Sequence, residues 1–459
     1  MFRLIRKTCL GLLLAAGVGS AAAFSLLGPL DGYQTAAIGY NVFGFDVGGP
    51  QNLGEEYRWN IRRITYGFDE SFLNYFGTQG TVAVNQAIAI LNALPPMSQL
   101  SSDLSEFPTD TTRENFQASA LGLVDLKSAA LSILVQEMGL ASPERFAWTL
   151  RDRRIFTVGT EDFTNYLVIQ RNFDPITFSP TPYVNGVLYT YDIREFLNPT
   201  FADAVETQVD PLAIGFSSVV QASGDLFGAS LGSGDFFIGL TRDDVGGLRY
   251  LLRTNNYNIE QLIPGTILTP TVVTNPPPPG SPVGTPPTLI TNIIANQVLR
   301  PGVDKITFQP GVYDSLLGVF VTVTNTYTDI FVTNSTVVTQ AVRRVLTQPD
   351  ILFGADDLGV LPSGDPVIFT RTLASSWVNN NAINGQIALN GPGIIPPQIT
   401  ITFSKLGPFF FNQNPFFVDQ GSASPGFVWG SFDGSTNPPI VYPSGLSIQQ
   451  LEQQVLTGP

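Results

Sequence analysis

The chain of 459 residues has no histidine, a single cysteine and very little lysine, and each shortage closes off some chemistry. Without histidine, one chain can build no Ser-His-Asp triad, no Cys-His dyad and no His-ligated zinc or haem. The cysteine, Cys9, precedes an apolar run, so it is not placed to become the lipidated first residue of a lipoprotein. Beyond residue 23 there is no thiol, hence no disulfide and no thiolate ligand. Only Lys127, Lys305 and Lys405 follow that point. A Ser–Lys nucleophile pair is not in place: Lys405 adjoins Ser404 in a strand, where neighbours point to opposite faces, and Lys127 has no serine three residues before it. The aspartic-protease triplet Asp-Thr/Ser-Gly does not occur. Charge is scarce too, at 13% of residues, about half the usual share.

What is present begins with an export signal. Met1 to Lys7 is basic, Leu10 to Val18 is apolar, and Ala21-Ala-Ala23 offers the small residues a signal peptidase needs. The apolar run is shorter than the roughly 20 residues that span a bilayer. Residues 1–23 are therefore expected to be a signal peptide, and the absence of later thiols points to bacterial export. Setting aside its three basic residues leaves 20 basic and 37 acidic ones, a net of −17. Such a surface repels nucleic acid and anionic lipid, so no nucleic-acid partner is expected. No later segment is apolar enough to be an integral membrane segment. A hydrophobic content of 43% with 33 Phe provides for real cores.

Residues 24–270 read as an α+β domain, a sheet with packed helices. Ile64, Tyr66 and Phe68 alternate on one face of a strand. After the turn-prone Gly77–Gly80, Val84, Ala87, Ile88, Leu91 and Leu94 fall at helical spacing, and Pro95-Pro96 ends the helix. A second helix is expected from Asp125, its cap, to Met138, with Gly139 at its end and apolar residues around most of its circumference. Ser142-Pro143-Glu144 reads as the start of another helix reaching about Leu150, and Arg151–Arg154 as an ion-paired loop. Asn185-Gly186 is a type I′ hairpin signal. Ser223–Phe227 and Ser233–Phe237 repeat a turn-then-strand pattern, in which Asp225 and Asp235 serve turns rather than calcium. Thr241-Arg-Asp-Asp244 opens a last helix, where capping accounts for Asp243 and Asp244.

This succession resembles a matrixin-type metzincin scaffold: a strand like Arg63–Phe68, a long helix, a buried helix, and a short final helix like Thr241–Tyr250. The resemblance extends over Tyr57 to Thr254 and lacks the zinc motif H-E-x-x-H-x-x-G-x-x-H. With Gly139 as the motif glycine, the three ligand positions hold Ser132, Gln136 and Ser142, and the general-base position holds Ile133. The resemblance thus implies a degenerate scaffold, a pseudoenzyme without zinc, other cofactor or peptidase activity.

Residues 271–287 hold seven prolines between Asn275 and Pro287 and read as a stiff, extended linker between two folding units. From Thr288 to 459 the pattern is mainly β, and short strands with turn signals favour an immunoglobulin-like sandwich. Val337–Leu346 is taken as its one internal helix and Ser447–Leu456 as a terminal one. Gly228-Ala-Ser230-Leu-Gly232 matches a nucleophile elbow in letters only, since glycine and serine continue around it and no base exists.

No catalytic, cofactor-binding or metal-binding residue is assigned. The expected function is that of a secreted, non-catalytic structural or binding protein of the bacterial cell surface or extracellular space. A carboxylate-based extracellular hydrolase of the glycoside hydrolase type is the alternative, because that mechanism needs no histidine. Net charge is −13 over 24–287 and −4 from Thr288 onward, where Phe409–Phe411 and Phe416-Phe417 cluster. Self-association or a cell-surface partner is therefore expected through the C-terminal part.

Overall fold

A computed structural model describes residues 23–26, 51–54, 56–144, 146–197, 200–213, 219, 231–263, 266–267, 272–275, 288–291, 295–314, 316–355, 369–370, 377–378, 389–390, 399–404, 407–408 and 428–443. Over these residues the chain is mostly strand with few helices. At its centre is a mixed sheet. Arg63–Phe68 lies between Thr307–Pro310 and Ile351–Gly354 and is parallel to both. Ile351–Gly354 pairs in parallel with Ile399–Ser404, which takes Phe369–Thr370 antiparallel on its other side. Buried strands of this kind carry apolar side chains, here Ile64, Tyr66, Phe308, Ile351, Phe353 and Ile401.

The long helix Glu70–Ala93 packs on this sheet. Asp69 caps it, accepting the Phe72 N–H at 2.9 Å. Its buried face carries Phe72, Phe76, Ala83, Val84, Ala87, Ile88 and Leu91, at the spacing expected. The helix starts earlier than the sequence pattern indicates, because the turn signal at Gly77 produces a break within it: Gly77 has φ +60° and ψ −159°. Asn92 ties its end to the sheet, donating to the Phe308 carbonyl at 3.0 Å and accepting the Phe308 N–H at 2.7 Å.

The second helix, Leu126–Glu137, is buried at every residue except Lys127. Asp125 caps it through the Ser128 N–H at 2.9 Å. Gly139 follows at φ +112°, and a Cβ there would lie 2.2 Å from the Tyr57 carbonyl oxygen, so chain reversal and close approach both demand glycine. Trp59 Nε1 donates to the Glu137 carbonyl at 2.9 Å. The last helix, Arg242–Leu252, has the full capping box between Thr241 and Asp244. Asn185 and Gly186, at φ +42° and +92°, form the hairpin that their sequence signals, pairing Val184 with Val187.

Three expectations need correction. Residues after Ser142 enter a strand, Thr149–Val158, paired with Glu161–Ile169, instead of a helix. Arg153, expected in a loop, is in that strand, bridged to Glu195 at 2.6 Å. Val337–Leu346 is likewise strand, paired residue by residue with Val323–Thr333. Its β-branched residues suit a pleated surface, and the partner strand decides the outcome.

The largest correction concerns the division at 271–287. Val272–Asn275 pairs antiparallel with Thr288–Thr291, Asn275 facing Thr288, so both ends of the proline stretch meet at one hairpin. Arg63–Phe68, from before it, lies in the central sheet between two strands from after it. Val428–Ser431 also pairs in parallel with Leu123–Asp125, and Tyr442 packs on Phe76 with centroids 5.1 Å apart. One core cluster runs from Phe24 to Tyr442. Among the described residues, strands after Thr288 are thus shared between the mixed sheet and an antiparallel one, ordered 257–260, 298–301, 323–333, 336–346, 266–267. Phe409–Phe417, Asp225, Ser230 and the terminal helix at 447–456 lie outside the described residues.

Candidate functional site

Of the positions a metal motif would occupy, Ser132 and Gln136 lie on the buried helix and Ser142 follows the short strand Leu140–Ala141. Ser132, Gln136 and Ser142 are all buried, as is Ile133 at the general-base position. The Ser142 hydroxyl donates to Glu144 Oε2 at 3.0 Å, and both Ser132 and Gln136 keep interactions within the fold. A neutral hydroxyl or amide offers zinc neither imidazole nor thiolate. Among the described residues no three His, Cys, Asp or Glu side chains converge as a metal site would require.

Asp243 and Asp244 prove unequal. Asp244 Oδ2 accepts the Thr241 N–H at 2.8 Å and hydroxyl at 2.6 Å, which is capping as expected. Asp243 points elsewhere: its Oδ2 accepts the Asn185 N–H at 2.9 Å, and the Ala23 N–H also bonds its carboxylate. Burial pushes its carboxyl well above the usual range, against those two bonds, and repulsion from Asp244 and Glu144 adds to the rise. Capping alone does not explain this residue.

A network of buried arginines joins the two sheets. Arg58 and Glu260, both with fully buried side chains, pair at 2.5 Å, and Arg58 also donates to the carbonyls of Leu251, Asn256 and Arg300. Arg300 forks onto Asp329 at 2.9 and 3.1 Å and spends its other donors on the carbonyls of Ala295, Asn296 and Glu260. Arg344 pairs with Asp350, whose other oxygen accepts the Thr65 N–H at 2.8 Å and hydroxyl at 2.9 Å. Desolvated charges need such partners, because an unpaired one would cost several kcal/mol.

Beside this network opens a cavity of about 410 Å³. Its wall includes Arg62, Arg63, Arg300 and Arg344, with Asp329 as its one carboxylate. The rest is Asn60, Asn325, Thr326, Tyr327 and Thr328 with short apolar stretches. Arg62 and Arg63 are exposed and form no ion pair among the described residues. A smaller cavity of about 210 Å³ has Asp125, Lys127 and Asp433 in its wall. Burial raises the Asp125 carboxyl, while the Ser435 hydroxyl and N–H lower that of Asp433.

Comparison of the chain with family models, with curated proteins and with solved structures gives no match. No helix among the described residues is long and apolar enough to cross a membrane. The arginine cavity has no signal in sequence: Arg62-Arg63 reads as the edge of a strand, and its partners arrive from about 240 to 280 residues later.

Proposed function

We propose that this chain is an exported, non-catalytic binding or structural protein of the bacterial cell surface or extracellular space, built on a degenerate matrixin-like scaffold. The observation that carries the reading is that the positions a metal motif would use hold Ser132 and Gln136 on a buried helix and Ser142, also buried, beyond its end. The strand, long helix, buried helix and capped final helix occur in the order the resemblance requires, and the two longer helices pack together. Contact with a cell-surface partner or a like copy falls to the part after Thr288. There Val312, Leu316, Leu317 and Val319 are 52 to 95% exposed around one hairpin.

The test is expression of the full chain in a bacterial host, followed by fractionation, elemental analysis and a casein assay. The protein is expected outside the cytoplasm, without stoichiometric zinc and without peptidase activity. One zinc per chain, or cleavage of casein, would overturn the reading.

The hydrolase reading has one observation in its favour, the oppositely shifted Asp125 and Asp433 in one small cavity. It ranks second because Asp125 is fully buried and committed to capping its helix. If it were correct, Asp433→Asn would abolish a glycosidase activity that the parent protein shows.

A further inference from the structure

We infer that the arginine-walled cavity binds a small hydroxylated carboxylic acid, of the chemical class of the sugar acids. The molecule is net negative, at −14, so a wall lined by four arginines and one aspartate runs against the charge of the whole. Structural pairing does not use up those groups evenly. Arg300 has every donor engaged within the protein, so it serves as a fixed strut of the wall. Arg344 is different. Its side chain is 2% exposed, it donates through Nη2 to Asp350, and its buried Nε has no hydrogen-bond partner.

A buried guanidinium donor without an acceptor leaves the Arg344 charge less fully compensated than that of Arg300, which favours an anion in the adjoining cavity. Arg62 and Arg63, free of ion pairs at the cavity, add two unneutralised charges to the approach. The rigid fork of arginine matches a planar carboxylate, which favours that group over a lone halide. Asn60 and, on the same strand face as Asp329, Asn325 and Tyr327 offer amides and a hydroxyl suited to a polyol. Asn325 faces Arg344 across the strand pair, which places a neutral donor and acceptor beside the charged group. The volume falls within the range of small-molecule sites, roughly 300 to 1,000 Å³. Asp329 is held by Arg300 and Gln340, so it does not oppose an anion as a free charge would.

The inference rests on reading the protein as a non-catalytic binder. Calorimetry at low salt with digalacturonic acid tests it, with the methyl ester of that disaccharide and inorganic phosphate as comparison ligands. The acid is expected to bind, with affinity falling on the order of tenfold on esterification and by a similar factor in R62A/R63A. Both arginines are exposed, so that variant is expected to fold, and R113A, at an exposed arginine elsewhere, should leave affinity unchanged. Equal binding of the ester, undiminished binding by R62A/R63A, or no binding of the acid would each overturn the inference. Phosphate binding as tightly as the acid would overturn the assignment to carboxylates. Cleavage of the disaccharide would instead overturn the non-catalytic reading, while the charge preference would still be measurable.

Discussion

Arg58 and Glu260 show what single residues contribute. Both side chains are wholly buried, and burial raises the Glu260 carboxyl despite the attraction of Arg58 and Arg300. A pair so placed adds little compared with an apolar pair of the same size, but removing one partner strands the other charge. Glu260→Gln is therefore expected to cost about 3 to 5 kcal/mol, read as a lowered midpoint in urea unfolding. A loss below about 1 kcal/mol would mean that water or another acid already serves Arg58. Asp243 gives a pH-dependent counterpart. Its folded carboxyl titrates above its unfolded one, chiefly through burial, with Asp244 and Glu144 adding repulsion. Stability from such a group is complete below the unfolded value near 4 and declines as pH rises toward the folded value. Asp243→Asn keeps an acceptor for the Asn185 and Ala23 N–H groups and removes the titration. The variant is expected to lose less stability than the parent as pH rises above the unfolded carboxyl value near 4, and to match or exceed it once the parent carboxyl is ionised. Parallel curves for the two proteins would show that the charge at 243 is not what declines.

At the scale of elements, most boundaries follow local chemistry. Asp69, Asp125 and Thr241 each cap a helix with a side-chain oxygen, and two of these caps are legible from position alone. Thr241→Ala is expected to cost about 1 kcal/mol, and Gly139→Ala roughly 1 to 3 kcal/mol, through positive φ and collision with the Tyr57 carbonyl. Thermal unfolding of the two variants checks the ranking. If Gly139→Ala proved the milder change, the approach of Tyr57 would not be limiting. Where local chemistry is ambiguous, pairing decides. Thr336–Leu346 carries apolar residues at spacings that fit a helix, yet it faces eleven residues of Val323–Thr333 in unbroken register. The two strands are joined by the two-residue turn Asn334-Ser335, both at positive φ, so the mark in the sequence is that turn and not the spacing within the second strand.

For the whole molecule, the decisive fact is that strands from before the proline stretch pair repeatedly with strands from after it. Arg63–Phe68 has its two sheet neighbours at 307–310 and 351–354, and Asn92 and Thr65 hydrogen-bond directly to Phe308 and Asp350. Residues 23–275 and 288–459 expressed apart are accordingly expected to be insoluble or molten, because each would expose one side of the central sheet. Co-expressed, they are expected to assemble into one cooperatively melting complex, since Asn275 and Thr288 already lie side by side. Two pieces that each melt cooperatively alone would restore the two-unit view.

The amino-acid sequence by itself excluded whole classes of chemistry, since a side chain that is absent cannot be supplied by folding. It also settled the caps at Asp125 and Thr241, the Asn185-Gly186 hairpin and the buried helix, because these depend on neighbours within a few residues. The joining of the two halves, the parallel order of the central sheet and the arginine cavity were decided by tertiary structure alone. They depend on groups 200 or more residues apart, such as Arg58 with Glu260 and Arg63 with Thr307. Only burial and strand pairing bring such groups together, and local sequence patterns carry no record of either.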